Sequence, residues 1–428
     1  MSLYAFAALL AITFLGIPIA WAMVAIGFGG VALLRGLDPA LAMVGQIAFE
    51  TTMSYDLSVV PLFVLMGNLV NHARMSHQLY EGAYSFVGHR RGGLALATIL
   101  SCGGFSAISG SSVATAATMA KVAIPSMRRF GYGDGFAAAT VAAGGTLGIL
   151  IPPSVVMVIY GILTRTDIGE LFVAGIVPGI LAITLYMLAV EWVVRRNPEL
   201  GPPGERMSWQ ERWRTVRPVW PVAVLFLLVI GGLYGKIFTP TEGAGIGAFG
   251  ALVLALAKRT LTTSALVRVF AETVRISAVM FAILIGGLLF ANFVNLAGLT
   301  TGLQAWVSDL SIPPLAVIFL IVGIYLMLGC VLDSMAMIIL TIPVFFPVVA
   351  KLGFDPVWFG IIVVMAVELA LITPPVGMNV FVIGSVFREI GTRRIFGAVV
   401  PFIVADIIRV TILIAFPVIT LALPSLMR

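Results

Sequence analysis

The sequence predicts an all-α polytopic membrane protein made of two inverted-topology repeats, each holding a re-entrant helical hairpin and a broken transmembrane helix. Three observations predict it. Apolar residues fill 60% of the 428 positions and charged residues only 10%, where an average soluble domain carries about one quarter charged. Apolar runs of bilayer-spanning length recur along the chain, among them Ile276 to Val294 and Val357 to Phe387. The chain also aligns on itself without a gap at a shift of 222, the distance from Pro152 to Pro374.

Composition sets the class first. The net charge of +6 does not point to nucleic acid, because the basic residues stand in short pairs between apolar runs, as membrane topology requires. No Lys or Arg precedes Arg35, so the first apolar stretch is expected to be a retained membrane segment and not a cleaved signal. Cys102 and Cys330 lie in apolar stretches without metal or disulfide spacing and are expected to pack as small apolar residues.

The repeat then orders the elements. The shift of 222 carries Pro18 onto Pro240, Ser112 onto Ser334, Ala114 onto Ala336, Pro125 onto Pro347, Gly131 onto Gly353 and Phe136 onto Trp358. This divides the chain into a first repeat over 1–194, a cytoplasmic linker over 195–217 and a second repeat over 218–428. The linker holds six arginines beside Pro198, Pro202, Pro203 and Gly204, the most polar stretch of the chain.

In the first repeat, Arg90-Arg91 and Arg128-Arg129 flank residues 92–127, so both ends of that stretch belong on the cytoplasmic side. Its midpoint, Ser109-Gly110-Ser111-Ser112, suits a tight turn inside protein better than an exit into water, which predicts a re-entrant hairpin. The second hairpin, 313–350, turns between Gly329 and Ser334 and lacks basic flanks. Lys258-Arg259 and Arg388, Arg393 and Arg394 mark the neighbouring cytoplasmic ends, so the mouth of this hairpin is expected outside. The halves are therefore inverted, an architecture of secondary transporters whose sites lie at the repeat interface.

Each hairpin is followed by a long apolar segment, 135–163 and 357–387, interrupted by Ile151-Pro152-Pro153 and Thr373-Pro374-Pro375. Paired prolines remove backbone donors and cannot continue a regular helix. The carbonyls so freed, with nearby hydroxyls, suit a small hard cation such as sodium. Ser109, Ser111 and Ser112 offer hydroxyls to an anion or oxygens to a cation, against the alternative that each bonds its own backbone. Asp333, aligned with Ser111, is a carboxylate at hairpin depth, where ionisable groups are usually functional; its alternative role is an N-cap. Glu368 shares the second break, Glu242 follows Pro240 at a membrane boundary, and Asn379 either faces the cavity or makes an interhelical hydrogen bond.

Other patterns carry no chemistry. Gly245, Gly247 and Gly250 spell G-x-G-x-x-G without a βαβ context, so close helix packing is expected. No Walker lysine motif is present, and His72, His77 and His89 lack ligand spacing.

Ser-Gly-Ser-Ser at 109–112, Gly-Thr-Leu-Gly-Ile-Leu-Ile-Pro-Pro-Ser at 145–154, Pro-Thr-Glu at 240–242 and Thr-Pro-Pro-Val-Gly-Met-Asn at 373–379 resemble the large membrane subunit of tripartite ATP-independent periplasmic (TRAP) transporters over essentially the whole chain. Arg74-Met75-Ser76 departs from the Gly-Leu-Ser type of turn in that family and bears on local geometry. The resemblance implies a non-enzymatic, sodium-driven importer of a small organic acid in the bacterial inner membrane, working by an elevator mechanism. It further implies two partners, a small four-helix membrane subunit and a periplasmic substrate-binding protein. Carried over, it places sodium ligands at Ser109, Gly110, Ser112, Gly144, Gly145 and Thr146 in one site and at Asp333, Ser334, Glu368, Thr373 and Pro374 in the other. Substrate contacts are expected from Ser109, Ser111, Ser112, Pro152, Asp333 and Asn379. The competing readings are a stand-alone sodium-coupled carboxylate symporter of related fold, an intramembrane enzyme using Ser111, Asp333 or a histidine, and a passive scaffold; for the enzyme no nucleophile and base share a motif.

Overall fold

The computed structural model describes residues 2–73, 75–309 and 313–427, and every regular element among them is helical. Arg74, part of the divergent turn noted above, lies outside the described residues.

The first half runs α1 (Ser2–Phe14), α2 (Ile19–Arg35), α3 (Leu37–Met53), α4 (Val59–His72) and α5 (Met75–Val87) into a helix pair, α6 (Gly93–Ser109) and α7 (Ser112–Arg129). A broken segment, α8 (Asp134–Thr146) and α9 (Val155–Thr164), and the long α10 (Ile168–Arg196) complete it. After α11 (Trp209–Val216) come α12 (Trp220–Tyr234), α13 (Pro240–Ala257), α14 (Thr263–Leu296) and α15 (Leu299–Asp309). The pair α16 (Pro314–Leu328) and α17 (Ser334–Lys351), the broken α18 (Pro356–Ala370) and α19 (Met378–Val386), then α20 (Thr392–Ala415) and α21 (Val418–Ser425) follow.

The shift of 222 carries α7 onto α17 at both ends, and the last residues of α2 and α9 onto those of α13 and α19. Backbone detail repeats too. Gly131 and Gly353 both adopt positive φ, +78° and +82°, and the Pro152-Pro153 and Pro374-Pro375 bonds are both cis. One difference stands out: α14 covers without interruption what the first half splits into α3 and α4, which meet at a 62° bend. Residues 54–58 there read Ser-Tyr-Asp-Leu-Ser, and the Ser58 hydroxyl donates to the Tyr55 carbonyl at 2.6 Å. Such short polar side chains compete with helical hydrogen bonding, whereas the matching Ile-Ser-Ala-Val-Met of α14 is mostly apolar.

The stretch expected as a linker is tied down. Ser208 and Glu211 form a capping box that starts α11, and α11 packs on α5. The Gly92 amide donates to the Gly201 carbonyl at 2.8 Å and the Gly204 amide to Gly88 at 2.9 Å, fastening the linker to the base of the α6–α7 pair. Sequence polarity reported exposure there but not these backbone bonds.

The halves interlock. Helix α2 packs along α14 and α4 along α13, while α7 packs on α19, α17 on α9, α8 on α20 and α10 on α18. Small residues permit the closest of these approaches: a Cβ on Gly286 would stand 2.5 Å from the Ala20 carbonyl oxygen. At the base of α7, Arg128 pairs with Asp134 and, across the halves, with Glu389, each at 2.7 Å. That guanidinium holds the Glu389 carboxyl below its usual range.

Among the described residues six helices are long and apolar enough to cross a membrane, and the bent α3–α4 pair makes a seventh candidate. Trp21, Phe49, Leu227, Phe249 and Val274 face outward, an apolar exterior that lipid solvates and water would not. The chain is a multi-pass membrane protein.

Candidate binding site at the helix breaks

Local chemistry shapes the first hairpin tip. Gly110 ends α6 in the left-handed region at φ +61°, and Ser111 starts α7 as an extended N-cap accepting from the Ala114 amide at 3.4 Å. The Ser109 hydroxyl bonds Thr115 Oγ1 at 2.5 Å, and Thr115 donates to the Ser111 carbonyl at 2.8 Å. Ser109 and Ser111 are thus engaged locally. Ser112 and Ser106 are different, since both hydroxyls are buried without a partner. Buried polar groups normally find one, so these two are the open donors and acceptors of this tip.

The tip sits directly on the break of its own half. A Cβ on Gly110 would meet the Pro153 carbonyl oxygen at 2.9 Å, and one on Gly148 the Ser111 carbonyl oxygen at 2.5 Å. Gly145 would meet Ala116 at 2.7 Å and Gly144 the Cys102 sulfur at 2.7 Å. The glycines of 144–148 are therefore what lets two backbones touch. The structure thus sets Gly110 and Ser111 of the tip against Pro153 and Gly148 of the break, while Gly144 and Gly145 pack on Cys102 of α6 and Ala116 of α7. Pro152, by contrast, is buried in the break. Ser154 closes it, donating to the Ile149 carbonyl at 2.6 Å and capping α9.

The second tip is built otherwise. Asp333 caps α17, its Oδ1 accepting from the Ala336 amide at 2.8 Å, so the capping role is realised while Ser334 beside it stays half-buried. Gly329 lets the turn approach Ala370 at the end of α18, where a Cβ would come within 2.3 Å. Thr373 donates to the Leu369 carbonyl at 2.5 Å. Pro374 and Pro375 are exposed, unlike the buried prolines of the first break. Asn379 is buried and crosses between the halves, its Nδ2 donating to the Ala142 carbonyl at 3.1 Å while its Oδ1 has no partner.

Glu368 is engaged by a side chain of α20. Its Oε2 accepts from Arg409 at 2.7 Å, and the same guanidinium nitrogen reaches Asp406 at 2.8 Å. Tyr186 donates to Asp406 Oδ2 at 2.7 Å and meets the Thr146 hydroxyl at 3.1 Å. All five side chains are buried. Thr146 and Glu368 occupy matching repeat positions, so this chain of contacts links one half's break to the other's. Two carboxylates share one guanidinium, which leaves one negative charge in excess when all are ionised. Glu368 Oε1 and two Arg409 nitrogens have no hydrogen-bond partner.

Sequence reasoning missed Tyr186, Asp406 and Arg409. The signal was there: Asp406 and Arg409 stand three apart, on one helix face, inside an apolar run, and charges within a span are rarely idle. The remaining sequence expectations fall elsewhere. Glu242 is exposed and completes a capping box with Thr239 at the start of α13. Gly247 and Gly250 pack against Met66 and Leu225 while Gly245 meets open space, and His77 lies 3.5 Å from Glu81. Cys102 is buried and Cys330 half-buried, both free.

Known proteins resemble this chain along most of its length. The C4-dicarboxylate TRAP transporter large permease protein of Pseudomonas aeruginosa is 36% identical over 88% of each chain. The sialic acid TRAP transporter large permease of Vibrio cholerae is 32% identical over 97% of each, and the ectoine/5-hydroxyectoine large permease of Ruegeria pomeroyi is 33% identical over 98% of each. In fold, the crystal structure of the Alcanivorax borkumensis YdaH transporter, described as having an unusual topology, superposes with a TM-score of 0.62 at 17% identity over 89% of each chain. Residues 6–419 match the family described as "Tripartite ATP-independent periplasmic transporter, DctM component", and the chain belongs to that family of TRAP transporter large permeases.

Proposed function

We propose that this chain is the sodium-driven permease of a three-component importer, taking a small organic anion from a periplasmic binding protein across the bacterial inner membrane. The observation that carries it is the contact of each hairpin tip with the broken segment of its own half, with orphaned hydroxyls at Ser106 and Ser112 and unwound carbonyls beside them. Such hard oxygen donors suit sodium, and sites at broken helices of a repeat interface are the transporter pattern.

The packing supports a division of labour. Helices α2, α4, α13 and α14 form the scaffold that the small four-helix subunit joins. The hairpins, both broken segments, α10 and α20 move past it as one body, the elevator motion. The buried Thr146–Tyr186–Asp406–Arg409–Glu368 chain holds that body together. The ion gradient supplies the work, and no bond chemistry is needed. Relatives named for C4-dicarboxylates, sialic acid and ectoines lie at 36, 32 and 33% identity, so likeness favours no one substrate over another, and the class proposed here is a small carboxylate.

The test is uptake of labelled organic acids by proteoliposomes carrying this chain and its small membrane partner, with and without the soluble protein, under an imposed sodium gradient. Uptake needing both the soluble protein and sodium is expected. Uptake by this chain alone would make it a stand-alone symporter, and uptake indifferent to sodium would remove the coupling ion.

A further inference from the structure

We propose that the cleft between α10 and α20 binds one anionic phospholipid, with an acyl chain in its apolar half and the phosphate on Arg196 and Arg394. The apolar half is a cavity of about 490 Å³ walled by Leu185, Leu188 and Trp192 on one side and Val400, Val404 and Ile408 on the other. Trp192 and Pro401 also line the adjoining cavity of about 500 Å³, which holds Arg196, Asn197 and Arg394, so the two form one trough that is oily at one end and basic at the other.

The charge pattern selects the occupant. Neither cavity is lined by a carboxylate. Arg195 is paired with Glu191 at 2.6 Å, but among the described residues Arg196 and Arg394 enter no ion pair. Arg196 lies instead over the Trp192 ring, 4.3 Å from its centre, which aims a guanidinium at the top of the apolar trough. Trp and Arg together mark the headgroup level of a membrane, and basic pockets between spanning helices bind anionic headgroups. A free phosphate would use only the arginine end. The exposed Val400, Val404 and Ile408 open the other end to the bilayer, where acyl chains are the available solvent.

Gly397, exposed on α20, lines the basic end and leaves it open. A Cβ on Gly397 would meet nothing within 4 Å. The walls are the outer faces of the two helices whose inner faces carry Tyr186, Asp406 and Arg409, so the lipid lies behind the buried charge network and bridges its supports.

The experiment is native mass spectrometry of the purified protein titrated with phosphatidylglycerol, with phosphatidylcholine of the same acyl chains, and with inorganic phosphate. One phosphatidylglycerol is expected to be retained in preference to phosphatidylcholine. Arg196→Gln with Arg394→Gln should lower that retention roughly tenfold or more, taking about 1 kcal/mol per basic residue at the membrane surface. Gly397→Trp, which fills the basic end and keeps both arginines, should also lose the lipid. Equal retention of the two lipids, undiminished retention by the double variant or by Gly397→Trp, or displacement by inorganic phosphate alone would each overturn the proposal.

Discussion

Arg409→Met removes the one positive charge from a buried cluster that contains Glu368 and Asp406. Breaking a buried pair this way costs about 3–5 kcal/mol, because uncompensated charge remains in a medium that cannot solvate it. Here two carboxylates are left instead of one, which puts the loss at the upper part of that range. Glu368→Gln acts differently. The amide oxygen still accepts from Arg409, Asp406 still balances the guanidinium, and the cluster goes from one excess negative charge to none, so about 1 kcal/mol of hydrogen-bond strength is lost. The two variants touch the same contact yet should differ several-fold in effect. Thermal unfolding of the purified protein, followed by tryptophan fluorescence, reads this directly. Arg409→Met should melt several degrees below the parent, and Glu368→Gln within about a degree or two, taking the scaling of midpoint with stability for large chains. Equal losses in both, or a parental melting point for Arg409→Met, would refute the reading of Arg409 as the hub of the cluster.

Other perturbations separate roles at the breaks. Gly148→Ala would place a Cβ 2.5 Å from the Ser111 carbonyl oxygen; uptake in proteoliposomes should fall at least tenfold while membrane insertion, read by fractionation, persists, and normal uptake would show that tip and break need not touch. Asp333→Ala should lose about 1 kcal/mol of α17 capping and also sodium dependence, whereas Asp333→Asn keeps the cap and should lose only the latter; a sodium titration of uptake unchanged in the Asn variant would leave Asp333 a cap alone. Thr373→Val removes the hydroxyl that donates to Leu369 and should raise the sodium concentration needed for half-maximal uptake, and an unaltered titration would take Thr373 out of the site. Asn379→Leu orphans the Ala142 carbonyl across the halves and should lower the melting point by the equivalent of about 1–3 kcal/mol; a parental melt would mean that the bond contributes nothing.

Much of this protein was legible without coordinates because a bilayer leaves few options. Spans must be apolar and their backbones satisfied within the segment, so composition and apolar run lengths alone establish a multi-pass helical chain. Duplication did the rest: a gapless shift of 222 locates both proline pairs, both hairpin turns and the Ser111 to Asp333 correspondence, since each is written locally in proline, glycine and serine chemistry. Tertiary structure alone decided what those residues touch. Glu368 sits beside the second break in sequence, yet its partner is Arg409 on α20; Ser109 and Ser111 looked equivalent to Ser112, yet only Ser112 is left unbonded. The bend between α3 and α4, absent from α14, and the pinning of the linker to Gly88 and Gly92 likewise depend on groups distant in the chain or on backbone bonds that no side-chain pattern records. Periodicity and proline report what a segment can form by itself, whereas pairing of buried charges and contact between backbones depend on which segments are brought together, and that is settled only by packing.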